Sequence, residues 1–405
     1  MTGLVPNIGF HNRVRRGTRV VTTMSDLTGV HHLVHGNPVK SGGHHIGAAS
    51  LTVSDALIRT LGESIERYAQ FAFPAHHEFT FAPVSGLADP AVAPVPHFTD
   101  EQFADPAFPF DRVEPDAWLS WWRMAALTGG PDLFVPAQST LVGYQTRNDD
   151  GEPWLHPAVS TGTAAHTDPA TALLSAIQEL VQLDATMGHW YTDFRSVRID
   201  SDHRTHALDG LIAGHWDHRA PRPQFHLLPS PDLPGFTVVC LIRAGATGGP
   251  AIALGLGADT HLTVAMYKAL LESTNLAIVP DGGPGDGRFL DLENNLFHYA
   301  KPEHAQVVQD RFADCDTARA ADLPPDATDD VRTTVRRYID AFRISGKRLL
   351  YGDLTTPDVQ RLGFHVLRVW SPDTLPLSLP GAPMRRHPRY QDYGGFMNHH
   401  PHPYP

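Results

Sequence analysis

Between Thr171 and Met187 the sequence is apolar around most of a helix. At 100° per residue, Leu173, Leu174, Ile177, Leu180, Val181 and Met187 cover the circumference. They leave only a narrow polar stripe of Thr171, Ser175, Gln178, Glu179, Gln182 and Thr186. Such a helix has no surface to give to solvent. It must run through the middle of a fold, and its polar stripe must be satisfied there. A body large enough to enclose it is available, since the chain has 405 residues, 41% of them hydrophobic.

The same arrangement occurs twice more, in Asp55–Arg67 and Val264–Leu276. In all three stretches an Ala (56, 172, 265) stands seven residues before a Glu (63, 179, 272). Glu66, Gln182 or Asn275 follows three residues later. None of the stretches contains Pro, and the apolar spacing predicts a helix for each, with Glu and the third residue after it on one face. In the third helix Lys268, Glu272 and Asn275 share an edge of an otherwise apolar cylinder. In the first, Leu57, Leu61, Ile65 and Tyr68 form the apolar face opposite the acids. Alone, Glu63 with Arg67 reads as a solvated i,i+4 salt bridge. Three occurrences predict that the helices converge and aim several carboxylates and amide oxygens at one place. Oxygen ligands of that kind suit a hard divalent cation held against phosphates, with Lys268 and Arg67 suited to the phosphates. The glutamates lie 116 and 93 residues apart, too far and too unevenly for a solenoid, so one site in one fold is expected.

The rest reads as scaffold. No linker or low-complexity run divides the chain, so a single large domain from residue 26 to 405 is expected, after a basic arm at 1–25 carrying Arg13, Arg15, Arg16 and Arg19. The net charge of −12 argues against a nucleic-acid surface. No apolar run reaches membrane-span length and no signal-peptide core is visible, which with two Cys outside any CxxC pattern predicts a cytoplasmic protein with reduced thiols. Residues 36–54 are rich in Gly, Ser and His and lead into the first helix. Residues 73–116 predict a long irregular excursion, and Trp118, Trp121 and Trp122 a core or a binding wall. Strands are predicted within 132–146. A Gly/Ala loop at 160–170 delivers the second helix, with Asp168 as N-cap and Pro169 at its first position. A hairpin at 236–259 feeds the third, and 281–300 reads as a loop or flap. A helix over 331–345 closed by Gly346 and two strands at 347–354 and 363–372 complete an α+β pattern without βαβ rhythm. The 25 histidines form no zinc spacing. Nucleophile elbow, Walker A loop and dinucleotide fingerprint are all lacking, so any nucleotide would be held by another device.

Four blocks carry a resemblance: "GESIERYAQF", "STGTAAHTDPATALLSAIQELVQLDA", "GLGADTHLTVAMYKALLESTNL" and "GDLTTPDVQRLGFHVLRVWSPDTLPL". In order, they resemble the landmark blocks of the YcaO family, and more closely its azoline-forming cyclodehydratase subunits. The end of the chain, Pro401-His-Pro403-Tyr-Pro405, is similar to the Pro-x-Pro-x-Pro tail of those subunits. The likeness runs from Asp26 to the last residue. It implies a single YcaO-type α+β domain that binds ATP and Mg²⁺ without a P-loop. It also implies an activity: conversion of Cys, Ser or Thr in a ribosomal precursor peptide to thiazoline or oxazoline, by phosphorylation of the preceding amide oxygen.

Carried over residue by residue, Glu63, Glu66, Glu179, Gln182 and Glu272 fall on metal-binding positions. Ser50, Arg67, Lys268, Glu272, Asn275 and Arg368 fall on nucleotide-contacting ones. Glu63, Glu179 and the carboxylate of Pro405 are the implied catalytic groups, with Pro405 expected close to Glu63, Glu179 and Glu272. The expected partners are the precursor peptide, a separate E1-like or leader-binding protein, and a dehydrogenase in the same complex. The chain departs from the family where Glu-x-x-Glu-Arg-Asp becomes Glu179-Leu-Val-Gln182-Leu183-Asp184 and where Gly-Lys-Gly becomes Ala48-Ala49-Ser50. Asn275 also stands where Gln is usual. Thioamide or amidine formation, or a non-catalytic scaffold subunit, are the alternative readings.

Overall fold

A computed structural model of the chain describes residues 4–12, 20–27, 46–87, 90, 97–216, 222–243, 250–276 and 292–404. The N-terminal elements are β1 (Asn7–Asn12), β2 (Val21–Asp26), β3 (Ile46–Ser50), α1 (Val53–His76) and β4 (Thr80–Pro83). Next come α2 (Asp100–Ala104), β5 (Trp118–Ala126), β6 (Leu133–Pro136), α3 (Ala137–Thr140), β7 (Thr163–His166), α4 (Pro169–Tyr191) and β8 (Ser196–Asp200). The middle of the chain holds α5 (His206–His215), β9 (Gln224–Leu227), β10 (Phe236–Arg243), β11 (Ile252–Asp259), α6 (Leu262–Leu276) and α7 (Leu292–Tyr299). The last elements are α8 (Pro302–Ala313), β12 (Cys315–Arg319), α9 (Val331–Ile344), β13 (Leu350–Asp353), α10 (Pro357–Arg361) and β14 (His365–Trp370).

The strands form three sheets, ordered β1-β2-β3, β11-β10-β9-β8-β12 and β4-β5-β13-β14-β7, with β6 paired to β5. All pairings are antiparallel except β8 with β12. This is the α+β class expected from the sequence. Helix α4 runs through the middle, as its composition requires. Its first half (Ala176, Ile177, Leu180, Val181) packs against Ala164, Val369 and the α9 residues Val335, Tyr338 and Phe342. Its second half (Leu183, Met187, Trp190, Tyr191) joins Val239, Leu241, Leu254 and Leu256 of the β10–β11 hairpin, together with Tyr390, Tyr393 and Tyr404 near the C-terminus. Asp168 caps α4, its Oδ2 accepting the Thr171 N–H at 3.0 Å.

Several local readings change. Residues 292–299, expected in a loop or flap, are helix α7, because Tyr299 is buried in the main core and this tertiary gain outweighs two poor helix formers, Asn294 and Asn295. Helix α8 and strand β12 escaped the sequence reading, and β12 carries no apolar alternation to announce it. Within 132–146 only Leu133–Pro136 is a strand, and a short helix follows. Trp121 and Trp122 are core, whereas Trp118 is 51% exposed. Residues 7–12 and 21–25, expected within a basic arm, pair with each other in the first sheet. Arg13, Arg15, Arg16 and Arg19 lie outside the described residues.

Candidate active site

Each of the three repeated helices follows the edge strand of a different sheet: β3 leads into α1, β7 into α4 and β11 into α6. An edge strand carries backbone N–H groups with no strand partner. In each unit the helix glutamate takes one of them. Glu63 accepts the N–H of Gly47. Glu179 Oε2 accepts that of Gly162, just before β7, at 3.0 Å. Glu272 Oε2 accepts that of Leu256 at 2.9 Å.

The units also close into a ring. Helix α1 packs on its own β3 and on β7, α4 on β7 and β11, and α6 on β11 and back on β3. Helix α6 lies directly on β11 because Gly255 and Gly257 flank Leu256; a Cβ on either would come within 2.1 and 2.2 Å of α6 backbone atoms. Gly162 sits at φ +83°, and a Cβ there would meet the carbonyl of Val369 at 2.5 Å.

The ring brings the carboxylates together. Burial pushes the Glu272 carboxyl up to about 7 against the pull of the Leu256 N–H, and repulsion from Glu179 and Glu63 adds to the rise. Burial likewise raises Glu179 to about 7, opposed by Arg67, the Gly162 N–H and Arg368 and reinforced by Glu63. Glu66 is held well above the ordinary carboxylate range, first by burial, then by Glu179 and Glu63, with Arg67 and Arg368 pulling the other way. Glu63 is raised by burial and restrained chiefly by Arg67. The recess keeps an open side, since the side chains of Glu63, Glu66 and Arg67 remain 30%, 17% and 27% exposed.

Two cations sit among these acids. Arg67 places Nη2 3.5 Å from Glu63 Oε1 and Nη1 3.9 Å from Glu66 Oε1, and donates to Gln70 Oε1 at 3.2 Å. Arg368 on β14 is 2% exposed. Its Nη1 donates to Val159 O at 2.9 Å and to Thr163 Oγ1 at 3.0 Å, while its Nε has no partner among the described residues. Burial brings its guanidinium down to about 10 against the attraction of Glu179 and Glu66. Beside Arg368 lies a cavity of about 80 Å³ walled by Leu180, Trp370, Pro372 and Leu377; none of the four glutamates lines it.

The other residues singled out in the sequence are placed as follows. Gln182 and Asn275, the counterparts of Glu66 in the second and third units, are half-buried. Lys268 does not turn to the acids: its Nζ donates to Ala258 O at 2.9 Å and Asp259 Oδ2 at 2.8 Å. Ser50 Oγ is spent on the Asp55 carboxylate at the start of α1. Leu183 packs in the main core. Pro405 lies outside the described residues. Sequence reasoning missed Asp184. It is fully buried, with its carboxylate paired to Arg389 at 2.6 Å, to the Tyr393 hydroxyl at 2.8 Å and to the Leu375 N–H at 2.9 Å. The available signal was a second acid, after Glu179, on an apolar helix, which demands a partner.

Among the described residues no three or more His, Cys, Asp or Glu side chains stand close enough together to hold a metal ion by themselves. What they form is an acidic recess whose own two arginines leave carboxyls near neutrality, which fits hard cations and the phosphates they carry. The sheets and helices together make an α+β domain with a buried acidic recess and no P-loop sequence. Residues 48–375 match the family described as YcaO cyclodehydratase, ATP- and Mg²⁺-binding, and the chain belongs to that family. ATP and Mg²⁺ are its cofactors.

Solved structures similar in fold include a heterocyclase in complex with substrate and cofactor, at 18% identity and TM-score 0.75, with 99% of this chain covering 55% of that one. The chain thus spans about half the length of that relative. A YcaO protein from Methanopyrus kandleri bound with AMPPCP and Mg²⁺ is similar at 16% identity and TM-score 0.65, covering 92% of this chain and 86% of that one. A chain of the E. coli microcin synthetase McbBCD complex follows at 14% identity and TM-score 0.59, with coverage of 91% and 88%. No curated protein matches the sequence.

Proposed function

We propose that the chain is the catalytic subunit of an ATP-dependent cyclodehydratase that converts Cys, Ser or Thr of a ribosomal precursor peptide to thiazoline or oxazoline. The observation that carries this reading is the ring of three strand–helix units aiming Glu63, Glu179 and Glu272 at one recess. Glu66 joins them as a fourth carboxylate, and Gln182 and Asn275 offer neutral oxygens. These residues would hold Mg²⁺, which when bound neutralises charge on the transferring phosphoryl group. Arg67, with its side chain partly exposed in the recess, is the group best placed for phosphate. Arg368 adds a buried positive charge, and its Nε has no partner among the described residues.

In the reaction, the thiol or hydroxyl of the substrate adds to the preceding amide carbonyl and gives up its proton. The resulting oxygen takes the γ-phosphoryl group of ATP, and ADP leaves. Loss of phosphate with the amide N–H proton forms the C=N bond, so the peptide loses one water in all. Phosphorylation is needed because an amide oxygen is a poor leaving group. Lys268 is paired with Asp259 and is given no step here. The proline tail supports the azoline-forming reading over thioamide or amidine formation. The scaffold reading keeps Gln182 and Leu183 as its support, Leu183 being packed in the main core.

The structural relatives include chains of a multi-protein synthetase complex. We therefore expect the peptide to be presented by a separate leader-binding, E1-like partner, with a dehydrogenase in the same complex. The test is reconstitution with Mg·ATP and a Cys/Ser/Thr-rich precursor peptide encoded beside this gene. ATP-dependent loss of water by the native chain, but not by Glu179→Gln or Glu272→Gln, supports the proposal; equal loss by all three overturns it.

A further inference from the structure

The last residues of the chain present a backbone problem. Pro401 and Pro403 lack N–H groups, so the segment cannot pair as a strand, yet its carbonyls still need donors once buried. The segment is buried: His402 and Tyr404 are both 0% exposed. Side chains supply the donors. Trp190 Nε1 donates to His400 O at 3.0 Å and the Tyr299 hydroxyl to Pro401 O at 2.7 Å. Asn295 Nδ2 donates to both His402 O and Tyr404 O, each at 2.6 Å. The Asn295 side chain is itself 0% exposed, and its Oδ1 accepts the N–H of Leu296 at 3.0 Å.

His402 completes the lock. Its Nε2 lies 2.7 Å from Ser378 O, which can only accept, so Nε2 carries the proton and Nδ1 is free to accept the Tyr404 N–H at 3.3 Å. Upstream, the Met397 N–H is tied to Tyr191 O at 2.7 Å. Pro403 shares a small void with Leu276, Ile252 and Leu254. Leu276 is one turn beyond Glu272 on α6, so the anchored segment reaches the end of a helix that carries a site carboxylate.

We infer that Asn295 is a positioning residue: it clamps two alternate carbonyls of the tail and thereby fixes the point from which Pro405 continues. One amide can do this because it carries two N–H donors and both carbonyls lie 2.6 Å from its nitrogen. The inference rests on the proposed cyclodehydratase reading only for its catalytic consequence; the clamp itself is a statement about the fold.

The experiment uses the full chain, Asn295→Asp, Tyr299→Phe, a chain lacking 401–405, and Asn295→Asp in that shortened chain. Asn295→Asp keeps the shape and the Oδ1 acceptor but turns both donors into an acceptor facing two carbonyls. Hydrogen exchange at the His402 and Tyr404 amides should accelerate at least about tenfold in Asn295→Asp, with a smaller effect in Tyr299→Phe. Cyclisation should fall about tenfold or more while nucleotide affinity stays within about twofold. In the shortened chain Asn295→Asp should cause no further loss, since there is no tail left to hold. Unchanged exchange overturns the clamp, and an equal loss of activity with and without the tail overturns its positioning role. A native chain that cyclises nothing counts against the proposed function alone, because the exchange measurement still decides the clamp.

Discussion

Replacing Glu179 by Gln should make the ligand-free protein more stable while removing its response to Mg·ATP. The unfolded chain holds this carboxyl near the ordinary value of 4.5, and the fold raises it to about 7. Between those values the folded chain binds more protons than the unfolded one, so the group favours folding fully only below about pH 4.5 and loses stability as pH rises to 7. Above pH 7 the ionised group costs about 3 kcal/mol, from 1.36 kcal/mol for each tenfold change in proton affinity. Gln approximates the neutral carboxyl and keeps an oxygen for the Gly162 N–H. For a chain of 405 residues the unfolding entropy is about 0.85 kcal/mol per kelvin, so the gain is about 4 °C at pH 8. At pH 5 it should shrink below about 1 kcal/mol. The assay is thermal unfolding at both pH values with and without Mg·ATP, which should stabilise the native chain by about 2.7 kcal/mol at 100-fold saturation and the variant hardly at all. A variant that melts below the native chain at pH 8, or keeps the ligand-induced rise, would refute the argument that burying this carboxylate costs stability and that it holds the cation.

Gln182→Glu restores a carboxylate at the position equivalent to Glu66. It should strengthen the apparent Mg²⁺ affinity in a nucleotide-binding titration while lowering ligand-free stability at pH 8 by roughly 1 kcal/mol. Asp184→Ala leaves the Tyr393 hydroxyl and the Leu375 N–H unpaired and weakens the hold on a fully buried Arg389. It should cost about 3–5 kcal/mol, or about 4–6 °C in thermal unfolding. Lys268→Met should leave nucleotide affinity within about twofold and cost under about 1 kcal/mol, because the Asp259 pair it breaks is half exposed. Removing residues 401–405 should impair cyclisation more than nucleotide affinity.

The helix repeats were legible because Glu63, Glu179 and Glu272 stand in one register with Ala56, Ala172 and Ala265, and because α4 is too apolar to lie anywhere but inside. The hairpin at 236–259 and the Asp168 cap were legible for the same reason: each has a local signature. What each glutamate binds was not. The N–H groups of Gly47, Gly162 and Leu256 belong to sheet edges, and backbone donors leave no trace in residue identity. The pairing of Lys268 with Asp259 was not legible, because periodicity fixes the face of a helix but not where a long flexible side chain ends. Asn295 was lost in a Gly/Asp/Asn-rich stretch whose helical part is held by Tyr299 and the tail, partners far away in sequence.

The central claim is that the recess drives phosphorylation of a peptide amide oxygen, and an isotope decides it. A precursor peptide carrying oxygen-18 in the carbonyl before the cyclised residue should be incubated with the native chain, its partner and Mg·ATP in unlabelled water, and the released phosphate analysed by mass. One labelled oxygen per phosphate, in step with the loss of one water from the peptide, is the expected result. Unlabelled phosphate accompanying azoline formation would contradict it.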